Sequence, residues 1–239
     1  MEAIQSQLQL DRKNRFASAR AERLLLPHLP VEFSDLDSSD RAEVEHYIAQ
    51  CFYTNYQAKV THFLPYIISS RTDDKLTAAV GFQPATNDQP LFLEQYLEKA
   101  IELKLSDLTS RTIDRNRIIE IGNLTSSRRG TSQILFILNV AISHQAGFEW
   151  GVFTATKQVL TLLNKLNLNT IEVAEANPDS LSDNGDSWGN YYASRPKIVA
   201  GNLADAMTLL ELHPVTSFML KNYRNTIIEM ASLIKTKSQ

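Results

Sequence analysis

The chain has 239 residues, 43% of them hydrophobic and 21% charged, with a formal net charge of −3. That length suits one α/β core with terminal extensions, and that composition excludes a disordered chain. Lysine and arginine are scattered among the acids, so no basic block offers itself to a nucleic acid. A single cysteine, Cys51, allows no intramolecular disulfide and no zinc cluster, which fits a reducing cytosol. Among Tyr47, Ile48 and Phe52 it reads as a buried thiol.

In chain order, Met1 to Asp11 is polar and lacks the apolar stretch of a signal peptide. A charged helical stretch in the first thirty residues is closed by Pro27 and Pro30. Asp37-Ser-Ser-Asp40 then offers N-caps to a helix with Val44, Ile48, Cys51 and Phe52 on one face and Tyr47 and Tyr56 beside them. Two strands are expected at 62–69 and 76–83 around a turn at 71–74. Asn87–Pro90 reads as another turn, and 91–103 as a helix carrying Phe92, Tyr96 and Leu97.

The second half is patterned more clearly. A strand at 117–124 meets a polar loop at 125–130, and a helix at 131–145 is apolar nearly all round, which means burial on more than one side. Its run from Ile134 to Ile142 is too short to span a bilayer. A strand at 150–154 follows, and Thr156 caps a helix whose Val159, Leu160, Leu162, Leu163 and Leu166 face inward. Further strands are expected at 171–174 and 198–201. Strands alternating with helices imply an α/β fold with a partly parallel, mixed sheet. The tail from 212 to 239 interleaves Phe218, Leu220, Tyr223, Ile227, Met230, Leu233 and Ile234 with Lys221, Arg224, Lys235 and Lys237. That pattern suits a C-terminal amphipathic helix, either docked on the domain or a second subunit, or lying on a bilayer.

Several words occur together and in order: Leu91-Phe-Leu-Glu-Gln-Tyr-Leu97, Ile119-Glu-Ile-Gly-Asn-Leu124, Val152-Phe-Thr-Ala-Thr156, Trp188-Gly-Asn-Tyr-Tyr192 and Ala200-Gly-Asn-Leu203. The chain they define resembles the thermostable hemolysin family across about 51–203. That family looks like the GNAT and autoinducer-synthase acyltransferases. The resemblance therefore implies a GNAT-like single domain at 37–211, an N-terminal arm at 1–36, and the C-terminal helix at 212–239. It also implies an N-acyltransferase. The donor would be a fatty acyl thioester on acyl carrier protein or coenzyme A, used as cosubstrate with no permanently bound cofactor. The acceptor would carry an amine, as amino acids, polyamines and amino-lipids do. The donor would lie in a V-shaped gap between strands 117–124 and 150–154.

Acyl transfer to an amine needs a base, a polarised carbonyl and close positioning. A free alkyl amine is only roughly 0.04% neutral at pH 7, so the base matters. Glu94 and Glu120 are the candidates, because each sits among apolar residues where burial would raise a carboxyl pKa. Each equally suits a solvated face of its element. A hydroxyl, with Tyr192 as the candidate, would protonate the departing thiolate. Arg128, Arg129, Gly130, Thr131 and Ser132 form the loop and first turn where backbone N–H groups would meet a phosphate. GNAT enzymes carry R/Q-x-x-G-x-G/A there. Ser127-Arg-Arg-Gly-Thr-Ser132 departs at the first and last positions, which favours a carrier-protein donor over coenzyme A. Tyr96, Asn123, Thr154, Trp188 and Tyr191 are the candidate substrate contacts, with packing as the alternative for Trp188. The five histidines show no metal-ligand spacing, and no G-x-S-x-G elbow marks a hydrolase. The expected location is the cytoplasm, with peripheral contact at the inner membrane face through the tail. A membrane-active lytic protein and a non-catalytic ligand-binding domain are the rival readings.

Overall fold

The computed structural model describes residues 29–128 and 130–237. Residues 1–28, with the helical stretch before Pro27, lie outside them, and so does Arg129. Seven strands make one mixed sheet: β1 (Val31–Ser34), β2 (Tyr66–Thr72), β3 (Lys75–Pro84), β4 (Ile118–Ser126), β5 (Trp150–Ala155), β6 (Ile171–Glu175) and β7 (Lys197–Asn202). Their spatial order is β1-β2-β3-β4-β5-β7-β6, and among these neighbours β4 and β5 alone run parallel. β1 falls inside the span read as an arm. It completes the sheet edge, with Phe33 stacked 5.9 Å from Tyr66.

The β2–β3 hairpin turns at Asp73 and Asp74, both at positive φ, as a two-residue connection with the strands' own twist requires. α1 (Arg41–Tyr56) and α2 (Ile101–Thr109) cover one face of the sheet. α3 (Thr131–Ala146) covers the other, buried from Ile134 to Ser143 without a break, as its all-round apolarity predicts. α4 (Lys157–Lys165) follows β5, and the side chain of Thr156 caps it by accepting from Val159 N.

The helix expected at 91–103 is instead a 3-10 turn, Phe92–Tyr96, followed by α2. The Glu94 carboxylate causes the break. It accepts from Leu91 N at 2.8 Å and from Ile101 N at 2.9 Å, closing one turn and satisfying the start of the next helix. The four residues offered as N-caps to α1 resolve to Asp40, whose carboxylate accepts from the Ser34 hydroxyl and leaves the helix N–H groups alone.

The single helix expected over 212–239 is two. α5 (Leu203–Leu212) is followed by α6 (Pro214–Asn222) and α7 (Arg224–Lys237), with the break at Tyr223. The Tyr223 hydroxyl accepts from Leu29 N at 2.8 Å. Met219, Leu220, Ile227, Met230, Ala231 and Ile234 are buried in the main core with α3. The apolar stripe of the tail is thus largely spent on the domain itself. Among the described residues no helix is long and apolar enough to cross a membrane.

Candidate functional site

β4 and β5 pair over three residues only: Ile118 with Trp150, Ile119 with Gly151, and Glu120 with Val152. Beyond Glu120 they part. The cause lies on the other edge of β4, where Ala79 pairs with Thr125 and Gly81 with Gly122, so β4 spends one residue more than β3. Such a bulge bends its strand. Asn123 sits in it at φ 51°, and its Oδ1 accepts from Leu64 N at 2.9 Å. Gly81 makes room, since a Cβ there would stand 2.9 Å from that same oxygen. β5 meanwhile stays paired with β7 through Ala155.

The fork opens a cleft of about 330 Å³. On the α1–α2 face of the sheet its wall includes Glu120, His62, Phe92, Tyr96, Trp188 and Tyr191. On the α3 face it is apolar, with Phe136, Phe153, Val159 and Leu162. Both faces are reached because side chains of β4 alternate. Ile119 and Ile121 join the α3-side core, while Glu120 points to the turn at 92–96.

Glu120 is 3% exposed and accepts from Phe92 N at 2.7 Å and Leu93 N at 3.1 Å. Burial drives its pKa up to about 8, against the pull of those two N–H groups, and nearby Glu94 adds to the rise. Glu94 does not line the cleft. Burial pushes on it too, but Arg115 holds both its oxygens, at 2.7 and 2.8 Å, and with Ile101 N and Leu91 N keeps it below the usual carboxylate range. The raised pKa expected of Glu94 is therefore wrong in direction, because nothing in the spacing of residues 94 and 115 marks them as partners.

The aromatic residues gather as a wall. Trp188 packs on Tyr191 (5.2 Å), Phe92 (5.9 Å) and Phe52 (6.2 Å). The segment that carries it is tied to the end of α1. Lys59 N donates to Ser187 O, Asn190 N donates to Tyr56 O, and Gly189 at φ 53° lies so close that a Cβ would be 2.3 Å from Tyr56 O. Tyr96 lines the cleft, and its hydroxyl lies 2.6 Å from that of Tyr192, which stands behind it. Burial raises both tyrosines. Thr154 lies on the cleft wall, on β5 beyond the fork. Asn123 is also on the wall, but Leu64 N and His62 O occupy its amide.

Of the phosphate-loop candidates, Gly130 is the left-handed N-cap of α3 at φ 85°, with no side-chain cap, Thr131 is buried, and Ser132 reaches the cleft. The first N–H groups of that helix therefore open beside the cleft. The Arg128 guanidinium donates to Thr72 Oγ1 at 3.0 Å, over the β2–β3 hairpin, and does not line the cleft.

Three residues not expected at the site, Tyr56, His62 and Cys51, also line the wall. Tyr56 donates to Gln158 Oε1 at 2.9 Å, joining α1 to α4, and it lies four residues after Phe52 on the face assigned to the core. His62 stacks 4.8 Å from Phe92, and burial lowers its pKa. The strand expected at 62–69 begins instead at Tyr66, and His62 lies in the loop before it. Cys51, expected to be buried, is only partly buried, on the cleft wall. Among the described residues no group of three or more His, Cys, Asp or Glu is placed to hold a metal ion.

A mixed sheet forked between two parallel central strands, with a helix N-terminus at the fork, defines a GNAT-like fold. The thermostable hemolysin family profile matches residues 35–207, and the chain belongs to that family. Among curated proteins none matches it. Among solved structures it is similar to the AHL synthase LasI, with TM-score 0.50 and 13% identity over 74% of this chain and 90% of that one. It is also similar to FeeM, an N-acyl amino acid synthase from uncultured soil microbes, with TM-score 0.52 and 9% identity over 76% and 95%. A third is BjaI, a CoA-dependent acyl-homoserine lactone synthase, with TM-score 0.53 and 8% identity over 81% and 89%.

Proposed function

We propose that this protein is an N-acyltransferase that moves a fatty acyl group from a thioester to an amine. The observation that carries the reading is Glu120, a buried carboxyl with a pKa near neutrality at the fork of a cleft that is polar on one face and apolar on the other. The acyl tail lies on the Phe136–Phe153 side and the acceptor amine on the Glu120 side. Glu120 takes the proton from the ammonium, and the freed nitrogen attacks the thioester carbonyl carbon. Backbone N–H groups on the facing edges of β4 and β5 have no ladder partner past the fork and polarise the carbonyl oxygen. As the carbon–sulfur bond breaks, Tyr96 gives its proton to the departing thiolate and takes the second proton from the new amide nitrogen, so it ends neutral, with Tyr192 backing it through the 2.6 Å contact between their hydroxyls. Thr154, Trp188, Tyr191 and Asn123 shape the walls in this reading, and Glu94 holds the turn that carries the Glu120 ligands.

The three similar structures are named as an AHL synthase, an N-acyl amino acid synthase and an acyl-homoserine lactone synthase, which supports the reaction class. For the donor we propose acyl carrier protein ahead of acyl-coenzyme A. The loop before α3 departs from the usual phosphate pattern, and Arg128 is turned to the hairpin. Most of the tail's apolar stripe is packed in the core, and the large apolar side chains it leaves exposed, Leu212, Val215, Ile228 and Leu233, are scattered, so we infer that haemolysis by such a protein follows from its acylated products.

The test is thiol release by purified protein given acyl-carrier or acyl-coenzyme A thioesters and a panel of amines. Glu120→Gln should lower the rate by roughly a hundredfold or more, the scale of a lost base. Equal rates for wild type and variant at matched melting temperatures would remove Glu120 from the mechanism. A strong preference for acyl-coenzyme A over matched acyl-carrier donors would overturn the donor assignment alone.

A further inference from the structure

The apolar side of the cleft does not end where its open volume ends. Behind it lies a second, small hollow of about 20 Å³, lined by Val140, Leu163, Leu168 and Leu203 and by two glycines, Gly151 and Gly201, with the exposed Asn169 and partly exposed Thr170 at its outer side. The cleft and the hollow share Ile121, Phe136 and Phe153 as lining residues. The two rings meet edge to face, with centroids 5.9 Å apart and planes at 75°. Protein interiors are packed close to crystal density, and an empty apolar hollow costs stability. The sequence nevertheless leaves this one open, because β5 and β7 both present glycine there and Gly151 pairs with Gly201 across the ladder.

We propose that Phe136 and Phe153 form an aromatic gate that sets the length of alkyl chain the cleft accepts, with the Gly151–Gly201 hollow as the extension behind it. The inference rests on the acyl-transfer reading and assigns its chain-length determinant. The chemistry is that of any apolar dead end. Each methylene buried adds roughly fourfold to affinity, until the chain meets a wall it cannot displace. The two rings are that wall. Trimming either joins the cleft to the hollow, and filling the hollow from Gly201 undoes the gain. Gly201 is the position for the plug. A Cβ built on it meets only ordinary contacts, Asn169 O at 3.7 Å and Thr170 Cγ2 at 3.8 Å, whereas one on Gly151 presses Ile121 and Leu203 at 3.3 Å.

The experiment measures binding without turnover. A homologous series of saturated acyl thioesters of N-acetylcysteamine, with no amine present, displaces a fluorescent fatty-acid probe from the full chain. For wild type we expect affinity to climb roughly fourfold per carbon and then level off. Phe153→Ala and Phe136→Leu should carry the climb to longer chains, and adding Gly201→Val to either should return the plateau to the wild-type length. Should Phe153→Ala fail to fold, Phe136→Leu and Phe153→Leu decide the matter, since they keep most of the apolar volume. A plateau at the same chain length in folded gate variants overturns the gate while leaving acyl binding standing. Failure of every thioester to displace the probe from wild type overturns the acyl reading itself, and the gate with it.

Discussion

Glu94 and Glu120 both accept backbone N–H groups from the segment 91–101, yet the protein keeps one ionised and lets the other approach neutrality. Burial pushes both upward. The difference is Arg115, which grips both oxygens of Glu94 while its Nη1 also donates to Glu102, and which does not touch Glu120. A carboxylate held by a guanidinium has little affinity for a second proton, so it organises structure. One held only by two amides and buried without a cation beside it has a proton affinity suited to exchange at working pH. Two glutamates that read alike in the sequence thus divide into a fastener and a proton carrier, and the division comes from a partner 21 residues away from Glu94.

The two glutamates respond to pH in opposite directions, and Glu120 responds more strongly. The folded-state pKa of Glu120 is raised to about 8, so the folded protein binds a proton that the unfolded chain has released. Its contribution to stability is full below the ordinary carboxylate range and is lost as pH rises through about 8. Glu120→Gln has no such proton to lose. Between pH 5 and 9 the stability of wild type should therefore fall relative to the variant, by at most about 5 kcal/mol, as measured by denaturant unfolding at each pH. A difference that stays flat across that interval would mean Glu120 ionises normally in the folded state. The same group should give log kcat/KM an upward limb that bends near pH 8, and that bend should be missing in Glu120→Gln.

Next in size is the fastener. Arg115 and Glu94 are each about a tenth exposed, so removing one partner strands a buried charge. Glu94→Ala should cost roughly 3 kcal/mol of stability. Because the Glu94 pKa is lowered, the part of that stability due to its ionisation is lost as pH falls through the lowered value, opposite in sign to Glu120. Urea unfolding of the variant at pH 7 and pH 4 checks both points, since the gap from wild type should narrow at the lower pH. A variant as stable as wild type at neutral pH would make the ion pair ornamental.

How much of this was legible follows from how far each interaction reaches along the chain. Hydrophobic period and the short words around Glu120, Thr154 and Trp188 were enough for the β4–α3–β5 unit, because a strand and a following helix announce themselves locally. The same periodicity misread 91–103 as one helix, since the break comes from the Glu94 side chain bonding two backbone amides seven residues or fewer away. Arg115 gave no signal at all, because neither spacing nor composition tells which acid a guanidinium will find. The tail, expected as one helix, is two. Tyr223 ends α6 and satisfies Leu29 N, a partner 194 residues back in the chain. His62 and Tyr56 became wall residues only when the loop at 183–195 docked on α1 and the bulge at Asn123 opened the fork.

Tyr96 and Tyr192 differ by less than the two glutamates do. The sequence put Tyr192 forward as the proton donor to the departing thiolate, but Tyr96 is the one on the cleft wall and Tyr192 lies behind it. Either hydroxyl can donate in their 2.6 Å contact, so Tyr192 acts on the thiolate only by keeping Tyr96 aimed and supplied. Tyr96→Phe removes the group that touches substrate and should slow transfer by roughly tenfold, below the usual range for a lost base because a thiolate is a good leaving group without help. Tyr192→Phe leaves the Tyr96 hydroxyl in place and removes one hydrogen bond, worth about 1 kcal/mol, so the rate should fall only a few-fold. A donor of poorer leaving ability should widen the Tyr96→Phe defect and leave the Tyr192→Phe defect nearly unchanged. Comparing alkyl thioesters with the matching oxygen esters reads this directly. If the Tyr192→Phe defect grows most with the oxygen esters, the proton comes from Tyr192, and Tyr96 is the positioning residue of the pair.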